Sequence, residues 1–399
     1  MKLLNTIHDT SLERRTLLTC FSAGITAGIS SQMLGVILPN IRETYQLSYE
    51  VSGLLISAQS VGTMTANIAS GLLPLVLGRK RSVLTLTCWL VLGALLLVLT
   101  GNPFLLMAAG FMIGISRGGN VNFGNVMVGI TAKDKAASLS LFHGSFSIGA
   151  LSAPFVAMAF VSLGFWKGAA LVIGILGLVQ TILYMTLGIP KDMGKKVGKT
   201  AEVSAATEEK PVYMTSKRFW VAGAILVFYI ATEYGITGWL VTYFKESGLL
   251  SGVLAQFMSS LLWAVILVGR LVSASLGNRV TRHKLLVAYG IGSTAFLLLL
   301  LVSTTTPMIV AGIVGFGFFM SGIYPSTLAG VNREIGGSDL AMSILVTLGG
   351  IGGIAMPAAI GFVSEQVGIT GGMWLLMGVA AITMLLILYN CYITNKENA

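Results

Sequence analysis

Glu233 is the residue whose placement most constrains the chemistry of this chain. Of the 15 acidic residues, 14 lie in polar segments or at the ends of apolar runs, and this one stands at the middle of the apolar run 220–244. An ionisable group surrounded by hydrocarbon is costly, so it normally faces a cavity or a partner charge, and it is a functional-site candidate by default. Burial raises a carboxyl pKa and a nearby arginine lowers it, so Glu233 reads either as a group that takes up and releases a proton or as one half of a permanent ion pair. Arg117 occupies the middle of another apolar run, 104–130. Its guanidinium suits an anion clamp, since it engages a carboxylate or phosphate through two parallel hydrogen bonds. It also suits pairing with Glu233, or bonding to the backbone of its neighbours Gly114, Gly118 and Gly119.

Polar residues recur at helical spacing around these charges. Gln59, Thr63 and Asn67 are four residues apart, as are Tyr229, Glu233 and Thr237, so each trio forms one stripe on a helix. Asn120 shares a face with Arg117. Gln32, Gln256, Trp263 and Tyr324 add amide, indole and phenol groups, the lining expected for a polar solute with an apolar face. Taken singly, any of them serves equally as interhelical glue. His143 stands about 9 Å along its helix from the middle of its run, at 1.5 Å per residue, and is a candidate proton relay; a neutral imidazole bonded to Ser140 or Ser147 is the alternative. No Ser-His-Asp set, carboxylate pair, Walker loop or metal cluster emerges, so an enzyme is not expected, nor a cofactor other than the proton as coupling ion. Glycine-rich strings such as 349–353 follow no strand of a βαβ unit and read as close helix contacts.

The elements that must position these residues follow from composition. Hydrophobic residues make up 55% of the 399, charged residues only 10%, and glycine is abundant at 49. A soluble domain would carry about 25% charge. Twelve apolar runs, near 17–38, 51–76, 82–100, 104–130, 135–163, 166–188, 220–244, 252–276, 285–303, 307–330, 340–364 and 370–392, are each long enough to cross a bilayer as a helix. The backbone must pair internally in hydrocarbon, and no run alternates like a barrel strand. The expected fold is an all-α membrane protein of twelve helices. The first run lacks a small-residue cleavage site and is expected to be retained.

With the N-terminus inside, 20 of the 25 basic residues fall on the cytoplasmic side and only Arg42, Lys167 and Lys245 outside. Lys and Arg bias sets orientation, so both termini are expected in the cytoplasm. The formal charge of +10 is then a topology signal and no nucleic-acid footprint. The expected divisions are an arm at 1–16, a six-helix bundle at 17–188, a polar linker at 189–218, a second bundle at 219–392 and a tail at 393–399. Across the linker one offset of 203 residues pairs Leu47 and Ser48 with Leu250 and Ser251, Arg79 with Arg282, Gly114 with Gly317, Gly119 with Gly322, Gly149 with Gly352 and Pro154 with Pro357. Two homologous halves with a site at mid-membrane are a transporter plan.

The segment Gly71-Leu-Leu-Pro-Leu75-Val-Leu-Gly78-Arg79-Lys80-Arg81 resembles the loop signature of the major facilitator superfamily, with Leu75 where the signature has Asp; Arg279 to Lys284, including Arg282, is its counterpart in the second half. The resemblance covers the whole chain and implies two bundles that rock about a central site. Leu141-Phe-His143-Gly144 through Pro154, Glu233 through Tyr243, and Gly322-Ile-Tyr324-Pro325 further resemble the fucose-permease-like branch of proton-coupled sugar permeases. That branch carries membrane acids on its first and fourth helices, where this chain has none and Arg117. The resemblance implies symport of a small polar solute, sugar or sugar-acid-like, by a monomer in the inner or plasma membrane, with the lipid bilayer as surroundings. The alternatives are proton-driven efflux of drug-like amphiphiles, and organic anion exchange or uniport with a fixed Arg117–Glu233 pair.

Overall fold

The computed structural model describes residues 11–186, 212–276, 280–336 and 338–398. The arm up to residue 10, the linker between 187 and 211, and Arg279 lie outside them. No strand occurs among the described residues, and eleven helices are long and apolar enough to cross a membrane. In chain order the first elements are α1 (Ser11–Tyr45), α2 (Tyr49–Leu77), α3 (Arg79–Thr87), α4 (Trp89–Leu99), α5 (Pro103–Thr131), α6 (Lys135–Val161) and α7 (Trp166–Thr186). They continue with α8 (Val212–Thr215), α9 (Lys217–Glu246), α10 (Gly252–Leu276), α11 (Arg282–Val302), α12 (Thr306–Ser321), α13 (Ile323–Gly330), α14 (Asn332–Ile335) and α15 (Asp339–Asn398).

Helix starts follow local chemistry. Asn102 accepts from the backbone N–H groups of Phe104 and Leu105, with Pro103 at the first helical position of α5; Asp134 caps α6 and Ser216 caps α9 in the same way. Two runs are interrupted, between α3 and α4 at Cys88 and between α12 and α13 at Gly322. In α15 the helical path breaks at Gly368, whose φ of 77° is left-handed and open to glycine without strain. That break falls in the gap expected between residues 364 and 370.

The chain divides into two compact units, residues 1–34 with 58–209 and residues 35–57 with 210–399. The connection between α1 and α2, with the adjoining turns of both helices, thus belongs to the second unit. There it is held by charge. Arg42 pairs with Glu246 and lies 3.6 Å over the Tyr49 ring, while Lys245 bonds Glu43 at 2.7 Å. The Tyr49 hydroxyl donates to Glu246 at 2.6 Å, and its backbone N–H donates to Glu365 at 2.7 Å. Arg42 and Glu43 are offset by 203 from Lys245 and Glu246, so the two ion pairs are one contact made reciprocally.

The offset read from the sequence recurs in the packing of each unit taken by itself. A Cβ on Gly114 would meet the backbone of Gln59, and one on Gly317 would meet Leu262, itself 203 residues beyond Gln59. Gly119 lies against Leu86 and Gly322 against Tyr289, again 203 apart. Gly149 presses on the carbonyl of Ile25 in α1, and Gly352 on that of Val227 in α9, one residue short of the same offset. Ser48 and Ser251 accept from the N–H groups of Val51 and Leu254, each three residues on, capping α2 and α10. Small residues are needed where helix backbones touch, because packing rather than water exclusion joins helices in lipid.

Gly352→Ala would set a methyl 2.0 Å from the Val227 oxygen, so the α9–α15 contact must open. The expected cost is about 1–3 kcal/mol, read as an earlier thermal transition of the purified protein. Gly378→Ala, with nothing within 4 Å, should melt like the wild type.

Candidate functional site

In the second unit the polar stripe of α9 meets α10 and α13. Tyr229 and Glu233, one turn apart, rise from α9, and Arg270 reaches across from α10 with its Nη2 3.9 Å from Glu233 Oε1. That separation is an ion pair without a hydrogen bond. Glu233 keeps 13% of its side chain exposed and Arg270 keeps 38%. The rings of Tyr229 and Tyr324, the latter on α13, stand 6.0 Å apart at 45°. Tyr229 is buried and its hydroxyl makes no hydrogen bond of normal geometry. Gln256 and Trp263 on α10 are also buried, and the Gln256 Oε1 and Trp263 Nε1 atoms have no hydrogen-bond partner. Thr237 is turned to other work, its hydroxyl donating to the Glu233 backbone carbonyl at 2.7 Å.

Arg270 did not stand out in the sequence, although a signal was available. The loops account for 23 of the 25 basic residues, and the two left inside apolar runs are Arg117 and Arg270. The apolar run 252–276 masked the second.

In the first unit Arg117 is half-buried, with its guanidinium carbon 5.9 Å from the centre of the Phe146 ring. Asn120 is fully buried and committed to a network of its own. Its Nδ2 donates to the Ser116 carbonyl at 3.0 Å and to the Ser116 hydroxyl at 3.3 Å, and its Oδ1 accepts from the Tyr184 hydroxyl at 3.1 Å. Gln59 donates to the Ser30 carbonyl at 3.0 Å, tying α2 to α1, and Thr63 donates to the carbonyls of Gln59 and Gly114. Gln32 donates to the Ser31 hydroxyl at 3.2 Å. Asn67 accepts from Asn122 at 2.8 Å. His143 is exposed, stacks edge-on with Phe142 at 5.5 Å, and lends its backbone carbonyl to the Ser147 hydroxyl.

The loop residues Gly71 and Gly78 are exposed, and Leu75 projects with 82% of its surface accessible. Lys80 donates to the Met185 carbonyl at 2.6 Å, near the end of α7, and Arg282 to the Ala329 carbonyl at 2.9 Å, near the end of α13. Cations answer the exposed carbonyls at helix C-termini, so this loop anchors itself without an acidic residue at 75. Arg218 closes the same region of the second unit, bonding Glu334 at 3.0 Å and the Gly330 carbonyl at 2.9 Å.

Taken together, the second unit holds the set with open chemistry: an acid, a cation that touches it loosely, and buried donors and acceptors still unsatisfied. The Asn120 network, by contrast, is self-contained. Tyr184→Phe leaves the Asn120 oxygen unpaired and should lower stability by about 1–3 kcal/mol in a thermal melt, while leaving the solute concentration for half-maximal uptake unchanged.

The model of the Major Facilitator Superfamily matches residues 20–338. An uncharacterized MFS-type transporter of Yersinia pestis is 25% identical over 347 residues, covering 85% of this chain and 86% of that protein. A gallate transporter of Pseudomonas putida is 22% identical over 340 residues, covering 77% and 75%. The fold is similar to the crystal structure of a bacterial homolog of the human lysosomal transporter Spinster, with a TM-score of 0.77 at 13% identity over 96% of this chain and 97% of the other. The chain belongs to the Major Facilitator Superfamily, and is a multi-pass membrane transporter rather than an enzyme.

Proposed function

We propose that the protein is a proton-coupled symporter that moves a small polar solute, sugar or sugar-acid-like, by alternating access. The observation that carries the reading is Glu233, a carboxylate in the middle of α9 whose partner Arg270 lies at 3.9 Å without a hydrogen bond. A tight bidentate pair would hold the charge permanently. A loose one leaves the carboxylate within reach of a proton, and the arginine within reach of a solute. Protonation of Glu233 and binding of the solute together neutralise the site, and the neutral site permits the change of access. Arg117 is assigned as a substrate contact and His143 as a proton relay.

The remaining assignments rest on general constraints. At 1.5 Å per residue the last candidate span, 57 residues long, would extend about 85 Å if straight, far beyond a hydrocarbon core of about 30 Å. Broken at Gly368, it supplies two crossings, which makes twelve in all. The uneven count of basic residues then puts both termini in the cytoplasm, with the protein a monomer in the cell's inner or plasma membrane. The solute class follows the likeness of the sixth-element and ninth-element strings, around His143 and Glu233, to fucose-permease-like proteins.

A second reading, organic anion exchange or uniport, has one observation in its favour: Glu233 already has a cation in its own unit. A gallate transporter among the similar proteins is in keeping with an anionic solute. The two readings part on coupling. In proteoliposomes loaded with a pH dye, addition of neutral sugars and then of acidic sugars or small carboxylates should drive proton entry for one solute class, and Glu233→Gln should abolish that entry while retaining wild-type thermal stability. Flux that ignores an imposed pH gradient in the wild type would replace symport by exchange or uniport.

A further inference from the structure

Two buried groups on α10 that lack hydrogen-bond partners lie in line with Arg270. Gln256, Trp263 and Arg270 are separated by seven residues, so they share one face of the helix at intervals of about 10 Å. Gln256 and Trp263 keep 1% and 4% of their surfaces exposed, and their Oε1 and Nε1 atoms have no partner. Buried polar atoms are normally paired, because leaving one unmade forfeits its hydration with nothing in return. Gln256 lies about 21 Å along the axis from Arg270, out of reach of a small molecule held there. A ligand at the guanidinium is described by the nearer groups: an anionic group for Arg270, an acceptor for the indole of Trp263, and a hydroxyl for the unpartnered phenol of Tyr229. The phenols of Tyr229 and Tyr324, tilted at 45° to one another, add apolar ring faces beside the arginine, suited to a ring.

We propose that Arg270 is the carboxylate-recognition residue of this stripe, and that the transported solute is a small ring-bearing hydroxy acid rather than a neutral sugar. The inference deepens the transport reading and rests on it for the direction of events. The guanidinium has five N–H donors, and none is hydrogen-bonded to Glu233 at 3.9 Å. An incoming carboxylate accepts two of them in parallel geometry and displaces Glu233 from its counter-charge. Glu233 then binds one proton from water. One solute anion and one proton enter together, so the net charge of the site is the same before and after. The titratable and charged groups about Glu233 are Arg270 from α10, Tyr324 from α13, and Tyr229 and Tyr234 from α9 itself. The stretch of α15 packed on α9 contributes Gly349, Gly352 and Gly353 there, none of which titrates.

Binding tests this without transport. The purified full chain is melted with matched probes: glucuronate beside glucose, and 3,4-dihydroxybenzoate beside its amide. The expected result is stabilisation by at least one acid and by neither neutral partner. Arg270→Gln should weaken that acid's binding about 10- to 100-fold, and Arg270→Lys, which keeps the charge but loses the fork, by less. Glu233→Gln, which frees the arginine, should bind the acid at least as tightly as the wild type. Equal stabilisation by acid and neutral partner overturns the proposal. So does wild-type acid affinity in a cooperatively melting Arg270→Gln protein, or a lack of stabilisation by every acid. If instead the acid depends on Arg270 while flux ignores a pH gradient, the carboxylate assignment stands and proton coupling falls.

Discussion

Hydrocarbon cannot hydrogen-bond a peptide group, and the structure is organised around that constraint. Each long apolar segment becomes a helix because only a helix satisfies its backbone within itself. Once it has done so, water exclusion no longer drives one helix onto another, and adhesion falls to close packing. That is why the strongest structural signature of this chain is carried by glycine. Gly114, Gly149 and Gly352 each bring a helix so near its neighbour that a methyl group would sit within about 2 Å of a carbonyl oxygen. The charges, the caps and the polar stripes are arranged on a scaffold already fixed by these contacts.

Scaffold and chemistry part company along the internal repeat. The glycines, the capping serines and the basic-acidic pairs recur at 203 residues. The groups with open chemistry do not: the positions 203 residues before Glu233, Trp263 and Arg270 hold Ser30, Ser60 and Asn67. Packing constrains both halves alike, because each must join the same helices at the same distances. A binding site needs complementarity to an asymmetric solute, and the repeat lapses at those positions.

Much of this was legible in the residues. The apolar runs marked the helices, the polar gap before residue 370 marked the break at Gly368, and the constant offset foretold pairs of contacts later seen in space. Less legible was how each polar side chain spends its hydrogen bonds. Thr237 lies on the same stripe as Glu233, yet its hydroxyl turns back to its own helix at 2.7 Å. Asn120 shares a face with Arg117, yet is absorbed by Ser116 and Tyr184. Spacing assigns a face, whereas satisfaction depends on the neighbouring helix, which the sequence does not place. Arg270 was hidden for another reason. It lies near the end of a run whose apolar average swamps one charge, and only a full count of basic residues exposes it.

The reciprocal ion pairs at the α1–α2 connection carry a consequence for ancestry. A contact in which Arg42 meets Glu246 while Lys245 meets Glu43 is self-complementary: one dipeptide, basic then acidic, supplies both sides. Two separate copies of a half-length chain bearing that dipeptide would each offer both sides of this contact, as two-fold symmetry requires. Fusion of the two genes would then add a covalent tether to an interface that matched itself beforehand.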